Sequence, residues 1–179
     1  MLLPFIALNG CKQPIEDNRN PDLLNFIKFL GVQNNNVVSS KNDILLDDNI
    51  NLGVENLTKY TIDTLHKKFI KWDAEIIDIK NKPYGLDLVT IEFMILNNIN
   101  DTDNTYPEFS SIILSTSISI IDKKVIDKIK QHKVKDKVKI SGSFNYKNNV
   151  IDLDKYVTTS SIKNLFENPK IEIQLEDIL

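Results

Sequence analysis

The residue types that most often carry out catalysis or bind metal ions are widely scattered in this 179-residue chain. The two histidines, His66 and His132, have no cysteine or suitably spaced carboxylate beside them, and no His-Glu-x-x-His sequence occurs. Zinc sites need such spacing because several ligands must reach one ion. The five glycines are isolated, so no glycine-rich loop for phosphates or dinucleotides is predicted.

Asp152 and Asp154 are the carboxylate pair best placed for acid–base chemistry, because residues two apart share one face of a strand. Neighbouring surface acids are common in proteins without any catalytic role, and the single cysteine has no histidine near it in the sequence. We therefore expect no enzymatic activity, no catalytic residues, no metal site and no cofactor.

The densest charge lies between Asp122 and Lys139, where eight lysines outnumber three aspartates. Such a surface binds the phosphates of single-stranded nucleic acid when exposed aromatic rings accompany it, or it binds anionic lipid headgroups. The simpler interpretation is a solvated face in a lysine-rich chain, and the net charge of −3 argues against a protein built around nucleic acid. The predicted contact residues are Lys123, Lys124, Lys128, Lys135, Lys137, Lys139 and Tyr146, with Tyr84 and Tyr156 as further stacking candidates.

Alternation of apolar and polar residues predicts the strands that position this segment. The predicted strands cover residues 70–79, 86–96, 110–120, 137–144 and 150–156. In the first strand, Ile70, Trp72 and Ala74 share the apolar face, and we expect Trp72 to pack in the core. In the second, a phase slip at Val89-Thr90 predicts a β-bulge.

Helical spacing of apolar residues predicts one helix between the third and fourth strands, over 121–130. A second helix begins at Asn20-Pro21-Asp22, which supplies an N-cap and a proline at the first helical position, and ends at Gly31 as its C-cap. This helix is strongly apolar, so it docks either on its own domain or in the groove of a partner. A third helix is predicted from Val54 to Leu65, after a polar connection at 33–51.

Five short strands with one helix between the third and fourth resemble an OB-fold, the small Greek-key barrel of nucleic-acid and oligosaccharide binders. The likeness covers residues 66–158, and Phe69-Ile-Lys-Trp72 and Asp136-Lys-Val-Lys-Ile-Ser-Gly142 resemble OB domains of envelope proteins and of the tRNA-anticodon-binding-like family. Gly142 falls where such barrels bend and leave no room for a side chain. The sequence thus predicts a mainly β fold with flanking helices, and the alternative is an open antiparallel α+β sheet.

The single cysteine follows an apolar run at the start of the chain. Leu8-Asn9-Gly10-Cys11 resembles the lipobox of bacterial lipoproteins, which implies that Cys11 is lipidated after removal of a signal peptide. The residue after the cysteine is Lys12 and not aspartate, which is similar to the pattern in lipoproteins of the outer membrane that face the periplasm. The alternative is a short apolar strand with a buried free cysteine in a cytoplasmic protein.

These features divide the chain into five segments. They are a signal-peptide remnant at 1–10, a tether at 11–20, a helical extension at 21–65, the OB-like barrel at 66–158, and a C-terminal helix and arm at 159–179. The expected function is that of a non-enzymatic envelope lipoprotein, anchored to the membrane by its acyl group, whose barrel binds a protein or a glycan. The alternative is a single-stranded nucleic-acid binder that uses the lysines of 123–139.

Overall fold

The computed structural model describes residues 19–81, 87–96, 111–153 and 165–179. The elements in chain order are α1 (Pro21–Val38), α2 (Asp43–Asp63), β1 (Lys68–Asn81), β2 (Leu88–Leu96), β3 (Ser111–Ser119), α3 (Lys123–Ile129), β4 (Lys137–Phe144), β5 (Tyr146–Lys147), β6 (Val150–Ile151) and β7 (Lys170–Ile178). In this part of the chain, no helix is both long enough and apolar enough to cross a bilayer.

Five of these strands form a closed barrel in the order β1-β2-β3-β7-β4. Neighbouring strands are antiparallel except for β3 and β7, and β1 pairs with β4 to close the barrel. With α3 between β3 and β4, this is the predicted OB-like barrel with flanking helices. The pairing of β1 with β4 excludes the alternative of an open sheet.

The fifth barrel strand is β7, and the assignment of this strand to 150–156 was wrong. Val150 and Ile151 pair with Tyr146 and Lys147 in a small separate hairpin, β5–β6, and Leu153 makes a single bridge to Ile171. Both segments alternate in the sequence, but it is β7 that pairs with both β3 and β4. The barrel therefore includes residues beyond 158.

A β-bulge in β1 overturns the prediction that Ile70 shares a face with Trp72. The register with β4 shifts between Phe69 and Trp72, which both point inward, and Lys71 has a positive φ of 53°. As a result, Ile70 is 62% exposed. The bulge predicted at Val89-Thr90 is absent, because β2 pairs with β3 without interruption. The second bulge of β1 instead lies between Ile76 and Asp78, opposite β2.

The N-terminal helices are longer than predicted, and most of the expected polar connection at 33–51 is helical. The predicted N-cap is confirmed, since the Asn20 side chain accepts a hydrogen bond from the Asp22 N–H. Gly31 is not a C-cap but a buried residue within α1. The polar residues that resemble a loop in the sequence instead join the helices: Asn49 Nδ2 donates to the Asn36 carbonyl at 3.1 Å.

An aromatic cluster joins α1 to the barrel. The ring centroid of Phe26 lies 5.1 Å from that of Trp72 and 5.7 Å from that of Phe144. Phe69 completes the cluster, with its centroid 5.2 Å from that of Trp72. All four side chains are buried, so Trp72 is a core residue as predicted, and α1 docks on its own domain.

The first testable prediction concerns Gly142, where β4 bends against β7. A Cβ at this position would lie 2.3 Å from the Gln174 carbonyl oxygen and 2.8 Å from Phe69 Cζ. We expect Gly142→Ala to lower the free energy of unfolding by about 2 kcal/mol or more, because backbone must move to make room. Urea denaturation followed by Trp72 fluorescence measures this change.

The matched control is Ser143→Ala, which removes a hydroxyl from the next residue of β4 without adding volume. We expect it to change the free energy of unfolding by about 0.5 kcal/mol or less. Equal effects of the two substitutions would contradict the assignment of Gly142 as a position that excludes any side chain.

Candidate functional site

The predicted lysine contacts lie on α3, on β4 and in the turn between them, and the structure sorts them into two groups. Three of the eight lysines form ion pairs: Lys128 with Asp177, Lys130 with Asp127 at 3.0 Å, and Lys139 with Asp73 at 2.6 Å. The hydrogen bond from Lys128 lowers the pKa of Asp177 below its ordinary value. These lysines are therefore largely neutralised.

The other lysines of the segment differ from one another in their surroundings. Lys137 lies directly across from Glu75 in the antiparallel pairing of β4 with β1, a favourable arrangement of opposite charges. Among the described residues, Lys123, Lys124, Lys133 and Lys135 are exposed and make no ion pair. The excess positive charge is therefore concentrated at the two ends of α3.

Tyr146 is bound to the helical extension. Its hydroxyl donates a hydrogen bond to Thr61 Oγ1 at 2.9 Å, and the ammonium group of Lys67 lies 5.3 Å from the centre of its ring. Burial raises the pKa of Tyr146, and the hydrogen bond with Thr61 only partly offsets that effect. This ring therefore holds the β5–β6 hairpin on α2. Tyr84 and Tyr156 lie outside the described residues.

The other residues with possible chemistry are not brought together. His66 is exposed, and His132 Nδ1 lies 3.8 Å from Asp136 Oδ2. Over residues 19–81, 87–96, 111–153 and 165–179, no group of three histidine, cysteine, aspartate or glutamate residues is placed to hold a metal ion. Cys11 and Asp154 lie outside the described residues.

A groove of about 1030 Å³, which was not predicted from the sequence, lies between α2, the β5–β6 hairpin and Leu165. Its aliphatic residues are Ile50, Val54, Ile62, Val150 and Leu165. Its polar residues are Asp47, Asn51, Glu55, Thr58, Lys59, Asp63 and Asn149. We call this surface the α2 groove.

The α2 groove follows from the helical repeat of α2. Its lining residues recur every three or four positions from Asp47 to Asp63 and so share one face of the helix. The neighbouring face buries Leu57 and Thr61. At Gly53, a Cβ would lie 2.7 Å from Phe166 Cζ, so the missing side chain allows the buried Phe166 ring to pack directly on the helix.

Two hydrogen bonds fix the opposite wall of the groove. The hydroxyl of Thr58 accepts the Ile151 N–H at 3.2 Å, next to the bond from Tyr146 to Thr61. Threonines that weaken the helical propensity of α2 thus serve as attachment points for the hairpin. The helical spacing predicted for 54–65 indicates one face of the groove. The sequence did not predict the first half of α2, so the length of the groove was not predicted either.

Comparison of the chain with protein-family models, with curated proteins and with solved structures finds no match. The fold and the site define the protein as an OB-like barrel that carries a helical hairpin and an apolar groove with a polar rim. Its function is argued from these surfaces.

The second testable prediction concerns the bond between Tyr146 and Thr61. We expect Tyr146→Phe to lower the free energy of unfolding by about 1 kcal/mol at neutral pH, because it removes a partly buried hydrogen bond. A double-mutant cycle with Thr61→Val isolates the bond, since the second substitution should cost less once the first is present. Additive effects of the two substitutions would contradict a direct interaction.

The burial of Tyr146 predicts that stability depends on pH in the alkaline range. Burial raises the pKa of Tyr146 above its ordinary value of 10.0, so the folded protein holds this proton more tightly than the unfolded chain. The stabilisation is therefore complete below pH 10 and is lost as the pH rises through the folded pKa. Urea denaturation at neutral pH and above pH 10 should show the advantage of the unmodified protein over Tyr146→Phe decreasing.

Proposed function

We propose that this protein is a non-enzymatic, lipid-anchored binding module of the cell envelope, and that its α2 groove binds an apolar segment of a partner protein. The observation that carries the proposal is the groove itself, which has five aliphatic side chains, three of them on one face of α2, and a polar rim. Concave, mainly apolar surfaces with a few polar groups are the usual form of binding sites.

The shape and chemistry of the groove favour a protein segment over a glycan. The α2 residues that line it span 17 positions, which corresponds to a helix face about 25 Å long. An amphipathic helix laid along such a groove places apolar residues of every third or fourth position on its floor. Sugars instead need many hydrogen-bonding groups or aromatic rings, and the described lining residues of the groove include no aromatic side chain.

The surface that OB-folds commonly use for oligonucleotides and oligosaccharides, the outer face of the second and third strands, offers less support. In this chain the described residues of that face are small, aliphatic or acidic, as at Thr90, Glu92 and Ser117, and Glu92 forms an ion pair with Lys170 at 2.9 Å. Within the described parts of β2 and β3, this face therefore offers no aromatic ring on which bases or sugars could stack.

The rim of the groove indicates the charge of the partner. Asp47, Glu55 and Asp63 line it against the single cation of Lys59. A partner segment with lysine or arginine beside its apolar residues gains favourable electrostatic contacts along this rim and is steered towards it. The proposed partner segment is therefore a basic amphipathic helix.

The anchor in this proposal is Cys11, on the strength of its lipobox-like context, and the proposed location is the outer membrane, facing the periplasm. The structure supports a simple attachment: Asn20, at the end of the predicted tether, donates from Nδ2 to the Ile70 carbonyl at 2.8 Å. The tether would thus join the folded domain beside β1.

The third testable prediction is that the protein incorporates a fatty-acid analogue in bacterial cells and that Cys11→Ala abolishes the label. In this proposal the sulfur of Cys11 carries the lipid, and alanine has no group that could replace it. Labelled protein is detected after gel separation, with Ser39→Ala as a control that leaves Cys11 in place. Label retained in the Cys11→Ala protein would contradict acylation at this residue.

The fourth testable prediction concerns the rim of the α2 groove. The probe is a synthetic peptide of about 18 residues with leucines and lysines at the spacing of an amphipathic helix, which matches the length of the groove. We expect the protein to bind this peptide, and Glu55→Lys to weaken binding about fivefold at low salt, because a rim acid becomes a like charge. Fluorescence anisotropy of a labelled peptide measures the affinity.

The control is Asp48→Lys, which makes the same change in net charge on an exposed residue of α2 that does not line the groove. It should leave the affinity within about twofold of the unmodified protein, because an exposed charge outside the groove is solvated by water and makes no direct contact with the peptide. An equal loss of affinity in both variants, or no binding by the unmodified protein, would remove the groove as the binding site.

The alternative function, binding of single-stranded nucleic acid by the lysines of 123–139, has weaker support. Lys128, Lys130 and Lys139 are engaged with aspartates, and the ring of Tyr146 packs against α2 and Lys67. Of the five lysines without an ion pair among the described residues, Lys137 lies across from Glu75 and the other four remain available for phosphates. Binding through them requires an affinity for oligonucleotides that falls steeply as salt concentration rises.

A further inference from the structure

The two connections that flank α3 expose three large apolar side chains. Ile120 and Ile121, just before α3, are 44% and 81% exposed, and Val134, between α3 and β4, is 43% exposed. Burial of such residues is normally favourable, so their exposure carries a cost in water that contact with an apolar medium would remove. Side chains of this kind in a cluster mark an interaction surface.

Each of these apolar sites lies next to lysines that lack an ion pair. Lys123 and Lys124 follow Ile121, and Lys133 and Lys135 lie on either side of Val134. By contrast, the ion-paired lysines of the same segment lie within α3, at its end, and on β4. We call these seven residues at the two ends of α3 the α3 surface: Ile120, Ile121, Lys123, Lys124, Lys133, Val134 and Lys135.

Few acidic groups oppose these four lysines. Asp127 is paired with Lys130, and Asp136 accepts the Lys133 N–H at 3.0 Å and lies near His132. Lys124 also feels the charge of Asp177, which Lys128 already holds. Asp122, the third acid of the segment, is the N-cap residue of α3 and makes no side-chain capping bond. The α3 surface is therefore positively charged.

The geometry of α3 keeps the two connections close together. The helix has seven residues, so its ends are about 10 Å apart. Val125, Ile126 and Ile129 are buried, which fixes the inner face of the helix on the barrel and leaves both connections at its ends. The Ile120 N–H donates to the carbonyl of Asp87, just before β2, and the Lys135 N–H donates to the carbonyl of Ile76 in β1. A backbone hydrogen bond therefore holds each connection on the barrel.

We infer that the α3 surface binds the anionic headgroups of a phospholipid bilayer, with Ile121, Ile120 and Val134 entering the interface and the four lysines contacting lipid phosphates. Basic residues interleaved with exposed aliphatic ones are what a bilayer surface requires, since its outer layer is anionic and its next layer is apolar. A single strand of nucleic acid uses the lysines equally well, but it offers nothing to the isoleucines and needs aromatic platforms. This inference is independent of the α2 groove and of the acyl anchor.

The fifth testable prediction uses the full chain with Cys11→Ala, so that no acyl group contributes to binding. The protein is mixed with vesicles of phosphatidylcholine alone or with added phosphatidylglycerol, and the bound fraction is measured by sedimentation. We expect binding to the anionic vesicles only, and a loss of that binding at high salt. Lys123→Gln with Lys124→Gln should weaken it by about tenfold or more, since each lysine contributes to headgroup attraction.

Matched variants separate this surface from general charge. Lys130→Gln with Lys139→Gln removes the same net charge from ion-paired lysines of the same segment and should weaken binding about twofold at most. Ile121→Ser keeps all charges and should weaken binding by about fivefold, because its side chain no longer enters the interface. Emission of the single tryptophan, the buried Trp72, confirms that each variant is folded.

Three results would overturn the inference. They are equal binding to neutral and anionic vesicles, an equal loss in the two lysine variants, and unchanged binding of Ile121→Ser. A parallel titration with a single-stranded oligonucleotide decides the remaining case. If the oligonucleotide binds in a way that depends on Lys123 and Lys124 while anionic vesicles do not bind, the surface is a nucleic-acid site and the lipid assignment is wrong.

Discussion

The contact of Phe26 with Trp72 and Phe144 is the interaction on which the rest of the structure depends. It joins α1 to β1 and β4, the two strands whose pairing closes the barrel. Among the described residues, the indole N–H of Trp72 has no hydrogen-bond partner. An unsatisfied buried donor costs about 1–3 kcal/mol, so the packing of the aromatic rings must outweigh that cost.

The α2 groove is a consequence of this docking. Once α1 is held on the barrel, Asn56 donates to Gln33 and Asn49 donates to the Asn36 carbonyl, and these bonds set α2 beside α1. The hairpin then attaches to α2 through its bond to Thr61, and the described residues leave one face of the helix exposed in the groove. A groove built from elements that are far apart in the sequence needs each of these contacts, and none of them lies within the barrel itself.

The sequence predicted what depends on local alternation and failed where tertiary contacts decide. The β2, β3, β4 and α3 elements and the bend at Gly142 follow from periodicity and from the lack of room for a side chain. The positive φ at Lys71 turns Ile70 outward. Because lysine rarely adopts a positive φ, its presence at this position does not predict such a conformation. The choice of β7 as the closing strand depends on simultaneous pairing with two strands.

Charge shows the same limit most clearly, because a count of lysines carries no information about their partners. The partner of Lys139 is Asp73, 66 residues away, and the partner of Lys128 is Asp177, 49 residues away. If the lysines were present only because the chain is rich in lysine, those without an ion pair would not be expected to lie beside exposed apolar residues. The lysines left without an ion pair on α3 and its connections are instead those beside Ile121 and Val134. This coincidence of unpaired charge with exposed aliphatic side chains is the observation from which the membrane-binding surface is proposed.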